Sequence, residues 1–350
     1  MNGLPQQEAF VQQIGGKETG LFYLTNGKLQ AAFTNYGARL VSLLVPDKNG
    51  QLRDVVLGLD SVDAYQMARS SFLGSTVGRY ANRIAFGKFS LDGVEYNVPQ
   101  NLPPHHLHGG FNNFQEQVWD AAQPDDATVV FTYTSPDGEE GFPGNVQVSA
   151  TYQLTDRDEL RITYSATTDK PTVINLTNHA YFNLNGQGNG TVLQHQLEIN
   201  AAAITEADAT SIPTGRLMPV EGTPFDFRTP QTIGSRIDAD NEQIRFGSGY
   251  DHNFVLNKSA GNELSLATRT VGNESGITME VYTTEPGMQL YTANFLKGNV
   301  RLRSGAMDVK NCGFCLETQH FPDSPNRPEF PTTRLDPGDT FRSETVYRFS

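Results

Sequence analysis

The chain has 350 residues, of which 37% are hydrophobic, and its 39 acidic residues outnumber the 26 basic ones to give a net charge of -13. This composition is that of a folded protein whose length can bury a large core. The acidic balance argues against nucleic acid and anionic membranes as main partners, and it fits a neutral small molecule or a cation better than a polyanion.

Neither a membrane span nor a linker is predicted. The richest apolar stretch, Leu40 to Val45, is far shorter than a membrane-spanning helix. The segment from Met1 to Gln7 is polar and lacks the apolar core of a signal peptide, so we expect a cytoplasmic protein or an exported protein whose signal has been removed. Without a linker-like stretch, residues 1–350 are predicted to form one domain.

Strand signals recur along nearly the whole chain. Residues 146–154 and 160–167 alternate apolar and polar side chains, a period of two that predicts strands with one buried face. Tight-turn dipeptides typical of hairpins lie between strand-like runs at Asn26-Gly27, Asn49-Gly50, Asp92-Gly93 and Asp137-Gly138.

Helix signals are sparse. Residues 61–67 could form two turns, and Thr229-Pro230 resembles an N-cap and first helical position before a short turn through Ile233. A parallel sheet would need a helical pattern after each strand, and none is present. The prediction is therefore an all-β protein, one large antiparallel β-sandwich.

Three of the seven histidines, His105, His106 and His108, lie close together in a segment rich in Pro and Gly. No Cys or carboxylate cluster there has metal-ligand spacing, so we expect no metal site. A loop histidine that points at a ligand is favoured, with Gly109 and Gly110 allowing the backbone to approach closely.

Two other motif-like features have structural interpretations. The glycine-rich residues 185–190 precede a strand-like run instead of a helix, so they predict a turn and not a phosphate-binding loop. Cys312 and Cys315 are spaced like a redox pair, but three extended steps separate their alpha carbons by roughly 10 Å, beyond disulfide reach. We expect buried free cysteines.

His179 and Glu317 are the main candidates for proton transfer, and each lies in a run predicted to be a strand. A rigid strand can hold an acid or a base in position, as general acid–base catalysis requires. On a strand, Glu317 shares its face with Cys315 and Gln319. A carboxylate in this largely apolar segment needs a partner, which a structural ion pair could also supply.

Asp251 lies in a mixed polar and aromatic segment of the kind that binds neutral sugars. With Asp251 included, the sequence motifs of the chain resemble those of the aldose 1-epimerase, or galactose mutarotase, family over nearly its full length. The motifs that carry the resemblance are residues 78–84 (GRYANRI), 107–110 (LHGG), 140–145 (EGFPGN), 177–184 (TNHAYFNL), 250–253 (YDHN), 286–289 (PGMQ) and 316–319 (LETQ).

The resemblance implies a β-sandwich fold and the interconversion of the anomers of a free aldose such as galactose or glucose, without cofactor or metal. It implies that His179 is the general acid, Glu317 the general base and His108 a second active-site histidine. It further implies that four residues bind the sugar: Asn82, Arg83, Asp251 and Gln289. Cys312 and Cys315 have no part in the family's chemistry. A monomer or homodimer is expected.

Three alternatives remain open at this point. A sugar-binding protein without turnover would not need both His179 and Glu317. A hexose-phosphate epimerase of the same fold would need a cationic phosphate clamp, for which Arg79 and Arg83 are the candidates. A glycosidase would need two carboxylates, such as Glu317 and Asp251, and would leave His179 without a role.

The protonation of the pair leads to a further expectation. Ring opening of the sugar needs Glu317 ionised and His179 protonated. The reference pKa values of these groups are about 4.3 and 6.5, so that combination is common only at pH values between about 4.3 and 6.5. We expect neighbouring carboxylates to outweigh burial and to raise the pKa of His179.

Overall fold

A computed structural model describes residues 3–259, 261 and 263–350. The strands within this range are β1 (Gln13–Ile14), β2 (Lys17–Glu18), β3 (Leu21–Thr25), β4 (Gln30–Thr34), β5 (Arg39–Pro46), β6 (Leu52–Asp54), β7 (Thr76–Val77), β8 (Arg83–Ile84), β9 (Lys88–Leu91), β10 (Val94–Asn97), β11 (His106–Leu107), β12 (Asp120–Asp125), β13 (Thr128–Ser135), β14 (Val146–Leu154), β15 (Glu159–Thr168), β16 (Thr172–Val173), β17 (Thr177–Asn178), β18 (Tyr181–Phe182), β19 (Gln196–Ile199), β20 (Ala201–Ala207), β21 (Pro213–Pro219), β22 (Gln231–Thr232), β23 (Asp251–Leu256), β24 (Ser265–Val271), β25 (Thr278–Thr283), β26 (Gly287–Tyr291), β27 (Phe314–Gln319), β28 (Arg334–Leu335) and β29 (Phe341–Phe349).

Helices are few and short. Over the same residues the α-helices are α1 (Val62–Met67) and α2 (Glu242–Gly247). Single 3-10 turns occur at Gln7–Phe10, Arg69–Ser71, Ala85–Gly87, Phe114–Glu116, Glu139–Gly141, Ile233–Arg236 and Ser324–Asn326. In this described part of the chain, the helices all lack the length and apolar character needed to cross a membrane.

Two large antiparallel sheets dominate the architecture. The nine-stranded sheet has the order β12-β13-β14-β15-β29-β25-β24-β19-β22, and the six-stranded sheet has the order β18-β27-β26-β23-β20-β21. A four-stranded sheet, β3-β4-β5-β6, and several two-stranded pairs complete the fold. The predicted all-β, antiparallel fold is confirmed.

The two large sheets pack face to face, as in a sandwich. Phe182 of β18 contacts Tyr347 of β29, with ring centroids 5.2 Å apart. The hydroxyl of Thr318 on β27 lies 2.6 Å from that of Thr345 on β29, and Leu316 is buried in the same core. One face of the six-stranded sheet is therefore covered by the core, and its other face is available for a site.

The alternating patterns predicted strands correctly. β14 buries every second residue from Val146 to Leu154, and β15 covers the second alternating run. The four turn dipeptides connect β3 to β4, β5 to β6, β9 to β10 and β13 to β14, and each of these pairs is antiparallel. Residues 185–190 form turns, and both cysteines are buried and free, as expected.

The helix predictions were partly correct. α1 begins after Ser61, whose side chain caps it by accepting from the backbone N–H of Ala64. The turn predicted at Thr229-Pro230 is wrong, because residues 231 and 232 pair with β19 as strand β22 and the 3-10 turn starts only at Ile233. The sequence interpretation also missed α2, which Asn241 caps.

Candidate active site

A cavity of about 570 Å³ opens over the face of the six-stranded sheet opposite the core. Its described lining is mixed polar and aromatic, with three acidic and two basic side chains. The lining residues are Ser70, Ser71, Phe72, Asn82, Arg83, Leu102, Leu107, His108, His179, Tyr181, Asp251, Gln289, Tyr291, Phe295, Leu296, Lys297, Asn299, Asp308 and Glu317. All seven residues implicated from the sequence line this one cavity.

Strand register explains why the polar groups of the sheet converge. Glu317 on β27 lies directly opposite Gln289 on β26. Tyr291, two residues along β26, lies opposite Asp251 on β23. Since residues two apart share a face of a strand, these four side chains project into the same space. The face predicted for Glu317 is confirmed.

Glu317 is a buried carboxylate that lacks a partner at one oxygen. No residue in the described part of the chain hydrogen-bonds its Oε2. Burial raises the pKa of Glu317 well above its usual value, the charge of Asp251 raises it further, and Arg83 opposes the shift. A buried acceptor without a partner is costly, and the hydroxyl of a bound ligand would satisfy it.

His179 does not lie within a strand, contrary to the sequence prediction. Strand β17 pairs with β7, and strand β18 pairs with β27 in a different sheet. His179 lies where the chain crosses between them. Its backbone N–H donates to Ser75 and its carbonyl accepts from Gly74, which anchors the crossing point.

Aromatic rings surround the imidazole of His179. Tyr181 stacks on it at a centroid distance of 5.0 Å, Phe72 stacks at 5.8 Å, and His108 packs edge-on at 5.4 Å. Its Nε2 lies 3.7 Å from Oε1 of Glu317. That distance is too long for a hydrogen bond, so both atoms can meet a ligand.

The expectation that carboxylates would raise the pKa of His179 is wrong. Burial lowers the pKa of His179 to about 4, and the charge of Asp251 opposes this shift without cancelling it. The reason is the aromatic surround, because it removes water from the imidazole and thereby penalises the charged form. Of the two groups, Glu317 therefore holds a shared proton in preference to His179.

His108 has a fixed protonation state. The backbone N–H of Asn82 donates to its Nδ1 at 3.1 Å. That lone pair is therefore occupied, and the hydrogen of the neutral ring must be on Nε2. Burial also lowers the pKa of His108 well below its ordinary value. His108 is thus a neutral hydrogen-bond donor.

The loop around His108 is built by close backbone contact, as the paired glycines suggested. Gly109 has φ of +85°, and a Cβ there would overlap the carbonyl oxygen of Gly78. The carboxylate of Glu140 accepts from the backbone N–H groups of Phe111 and Asn112 just beyond the loop. The segment is not entirely loop, because His106 belongs to the short strand β11.

The other two histidines of this segment have structural partners. Nδ1 of His105 accepts from the backbone N–H of Phe86 at 3.1 Å. Nδ1 of His106 lies 2.8 Å from the carbonyl oxygen of Pro99. Neither is among the described residues that line the cavity.

Asp251 is held by two of the other predicted sugar-binding residues. Nε2 of Gln289 donates to its Oδ1 at 2.7 Å, and a guanidinium nitrogen of Arg83 lies 3.8 Å from its Oδ2. The amide oxygen of Gln289 is buried and has no hydrogen-bond partner among the residues that the structure describes. Asn82 adjoins the site through its backbone contact with His108. Together these groups offer both donors and acceptors to hydroxyl groups.

The three ligand-type groups His108, His179 and Glu317 have candidate donor atoms within 4.8 Å of one another. The sequence argument against metal considered spacing along the chain and therefore missed this cluster, whose members come from three separate segments. Its geometry does not suit a metal ion well, because Nε2 of His108 bears the ring hydrogen while Nδ1 accepts from Asn82.

Arg79, one of the two candidates for a phosphate clamp, has a structural role. Its guanidinium is buried and donates to the carbonyl oxygens of Pro143 and Gly144 and to the side chain of Ser135. It therefore fastens the 140–145 motif and does not face the cavity. Arg83 is near Asp251, which partly neutralises it.

Sequence reasoning missed the aromatic residues Phe72, Tyr181 and Tyr291, and it assigned no role to Cys315. Tyr181 and Tyr291 both oppose Cys315 across neighbouring strands. The period-two spacing of Tyr291 from Gln289 on β26 was a usable signal once that strand was located. Phe72 ends a 3-10 turn, and we find no sequence signal for its position.

Comparisons with known proteins identify the family. Residues 20–348 match the family model described as aldose 1-epimerase. Galactose mutarotase from Rattus norvegicus is 43% identical over 336 residues, which cover 96% of this chain and 95% of the relative. Aldose 1-epimerase from Escherichia coli (strain K12) is 38% identical over 326 residues, or 93% of each chain. The chain belongs to the aldose 1-epimerase family.

Solved structures agree with this family assignment. A GalM/aldose epimerase homologue from C. elegans has a TM-score of 0.87 at 34% identity and covers 95% of this chain and 99% of its own. Galactose 1-epimerase from Lactobacillus acidophilus NCFM has a TM-score of 0.84 at 28% identity, with coverage of 97% and 96%. The predicted aldose 1-epimerase resemblance is therefore confirmed over nearly the whole chain.

Proposed function

We propose that this protein is an aldose 1-epimerase, an isomerase that interconverts the α and β anomers of free hexoses such as galactose and glucose. The observation that carries the proposal is the His179–Glu317 pair at the floor of a mixed polar and aromatic cavity. The names of the relatives support the same reaction.

The reaction requires a hemiacetal ring to open and close. A base takes the proton from the hydroxyl on C1, an acid gives a proton to the ring oxygen, and the open aldehyde rotates about C1–C2 before the ring closes on its other face. Both oxygens are bonded to the same carbon, so the acid and the base must be neighbours. Glu317 as base and His179 as acid meet this requirement, and they exchange roles on closure.

The proton count of the pair fits this mechanism, although the order of the two pKa values favours Glu317 as the holder of the proton before a sugar binds. A sugar hydroxyl that donates to Glu317 stabilises the carboxylate and lowers its pKa. The displaced proton then moves to His179, the nearest basic group. The total of one proton is unchanged, so binding redistributes it into the arrangement that ring opening needs.

The remaining groups hold the sugar. Asn82, Arg83, Asp251 and Gln289 bind hydroxyl groups, and the Nε2–H of His108 donates to a sugar oxygen, for which its fixed neutral state suits it. The rings of Phe72 and Tyr291 can pack on the C–H faces of the sugar.

Several finer expectations accompany the proposal. Each step moves only protons, so the reaction requires no cofactor or metal. The single-domain organisation over residues 1–350, the monomeric or homodimeric state and the cytoplasmic location remain predictions from the sequence. A hexose-phosphate substrate is disfavoured, since Arg79 is occupied by backbone carbonyls and Arg83 lies beside Asp251.

Polarimetry of freshly dissolved α-galactose and α-glucose tests the function. The wild type should accelerate the approach to the anomeric equilibrium. Glu317→Gln keeps the shape of the side chain and removes the base, so kcat should fall by roughly 10²-fold or more while sugar binding persists. Glu95→Gln, an exposed carboxylate on β10, is the matched control and should be unchanged.

The same assay separates the alternatives. A sugar-binding protein without turnover would bind galactose in calorimetry but leave the rate of mutarotation at that of buffer. Near-normal turnover in Glu317→Gln would show that Glu317 is not the base.

A further inference from the structure

The two histidines that line the cavity, His108 and His179, differ in the group that lies next to Nδ1. At His108 the facing group is the backbone N–H of Asn82, which can only donate. At His179 it is the sulfur of Cys315, with Sγ 3.5 Å from Nδ1. A thiol sulfur is both a weak donor and a weak acceptor. The two imidazoles therefore face opposite constraints on where their hydrogens can be.

Cys315 is placed rigidly for this contact. It lies on β27 two residues before Glu317, on the same face, and opposite Tyr181 and Tyr291 on the flanking strands. Tyr181 and Phe72 stack on the ring of His179 and leave its edges open. The sulfur thus approaches the ring edge at Nδ1, while Nε2 is near Glu317.

The Cys315 side chain is uncharged. Burial raises its pKa well above the ordinary value, and the neighbouring charges of Glu317 and Asp251 raise it further. The group next to Nδ1 is therefore a thiol, which can orient the ring but does not titrate with it. Cys315 is also not among the described residues that line the cavity, so a sugar would not contact it.

We propose that Cys315 is a positioning residue for the acid His179, with Sγ accepting a hydrogen bond from Nδ1–H. This inference rests on the proposed function, in which Nε2 of His179 gives a proton to the ring oxygen and later recovers it. When Nε2 loses that proton, the neutral ring keeps its hydrogen on Nδ1, still bonded to Sγ. The exchange is thereby confined to the nitrogen that faces the substrate.

The group next to Nδ1 also gives the two adjacent histidines different roles. If His108 were to act as an acid, its Nδ1 would need a hydrogen that points at the N–H of Asn82. His179 meets no such conflict, because the sulfur can accept. The other titratable or charged groups that face His179 or act on it are Tyr181, Tyr291, His108, Glu317, Asp251 and Arg39.

Activity measurements on three variants test the proposal. Cys315→Ala removes the acceptor, and kcat should fall by about five- to tenfold with KM nearly unchanged. Cys315→Ser restores an acceptor oxygen and should recover part of that loss. Cys312→Ala is the matched control, because Cys312 is also a buried free cysteine, whereas among the described residues the sulfur–histidine contact is made by Cys315. It should retain wild-type kcat.

The tautomer of His179 gives a readout that does not depend on turnover. Long-range proton–nitrogen correlation spectra of histidine-labelled protein, assigned with His179→Asn, should show the hydrogen of neutral His179 on Nδ1 in the wild type. In Cys315→Ala the Nε2–H form should gain population.

Two results would overturn the proposal. One is a wild-type His179 with its hydrogen on Nε2. The other is an equal loss of kcat in the Ala and Ser variants without a change of tautomer, since this would mean that Cys315 only fills space. Absence of mutarotation in the wild type would instead contradict the proposed function, while the spectra would still report on the Cys315 contact.

Discussion

At the scale of single residues, burial reverses the usual order of the two pKa values that matter most. It lowers the pKa of His179 to about 4 and raises that of Glu317 well above its ordinary value. Because the two groups lie within 3.7 Å, they titrate as a pair. Between the lowered pKa of His179 and the raised pKa of Glu317 that pair holds one proton, which is the number that ring opening requires.

This order predicts the limbs of the pH profile of kcat/KM. Below about pH 4, His179 and Glu317 both carry protons and no base remains. Above the raised pKa of Glu317, both have lost their protons and no acid remains. We expect a plateau between these limits, with the acidic limb due mainly to His179. Polarimetry across pH measures it.

The variant His179→Asn assigns the limbs. It should lower kcat/KM by about 10²-fold or more and remove the acidic limb near pH 4. An acidic limb that persists unchanged in this variant would show that another group titrates there. His108 is a poor candidate, because the N–H of Asn82 occupies its Nδ1.

Asp251 should affect binding without affecting proton transfer. Its oxygens are held by Gln289 and approached by Arg83, and the site already has an acid and a base. Asp251→Asn should lower kcat/KM by roughly tenfold or more and leave the shape of the pH profile unchanged. The exposed Asp240→Asn is the control. Loss of one limb in Asp251→Asn would instead make Asp251 a proton-transfer group.

At the scale of elements, period-two patterns predicted correctly which residues share a face of a strand. They did not predict where one strand ends and the next begins. Glu317 and Cys315 share a face of β27 as expected, because one strand with regular pairing spans both residues. The segment around His179 has an equally regular pattern, yet it divides into β17 and β18 because its two ends pair with different sheets. A local pattern has no information about which partner a strand finds.

The convergence of the seven site residues also depends on tertiary structure, because local patterns do not specify which strands pair. His179, Glu317 and Asp251 were singled out from their own sequence segments, but the full set of seven could be named only through the family resemblance, since distances in sequence carry no geometry. Their contacts, such as the N–H of Asn82 on His108 and the sulfur of Cys315 on His179, depend on pairings between remote segments. The lowered pKa of His179 depends on Phe72, whose position no pattern indicated.

The His108 loop allows a test at this scale. In Gly109→Ala the new methyl group would meet the carbonyl of Gly78 and displace the loop. Since small displacements of a catalytic group cost activity steeply, kcat/KM should fall by roughly 10²-fold. Polarimetry gives the rate, and circular dichroism shows whether the fold persists.

Gly93→Ala is the matched control for that loop. Gly93 has a similar φ of +80°, but a Cβ there would meet no atom of the described residues within 4 Å. The substitution should cost only about 1 kcal/mol of backbone strain and leave activity intact. Equal losses of activity in the two variants would mean that general destabilisation, and not loop displacement, is responsible.

At the scale of the whole molecule, the sheets join distant parts of the chain. The nine-stranded sheet places β15 beside β29, and the six-stranded sheet places β18 beside β27. Strands from early and late segments therefore share one sheet and one core. This connectivity supports the proposal that residues 1–350 form a single cooperative unit.

Buried histidines make the stability of this single unit depend on pH. Burial lowers the pKa of four of them to about 4, namely His106, His179, His195 and His252. In the unfolded chain their pKa is about 6.5, so between these values the unfolded state binds protons that the folded state does not. Stability is therefore fully present above about pH 6.5 and decreases as pH falls toward 4.

Urea unfolding at pH 7 and pH 5 tests both the single cooperative unit and the effect of the buried histidines on its stability. Each of the four histidines should cost roughly 2 kcal/mol of stability between these pH values, partly offset by Glu317, Asp323 and His320, whose pKa values are raised. We expect one transition with a lower midpoint at pH 5, and the same curve from far-ultraviolet circular dichroism and from fluorescence of the single tryptophan, Trp119. Separate transitions for the two signals would contradict the single unit, and a higher midpoint at pH 5 would contradict the sign assigned to the histidines.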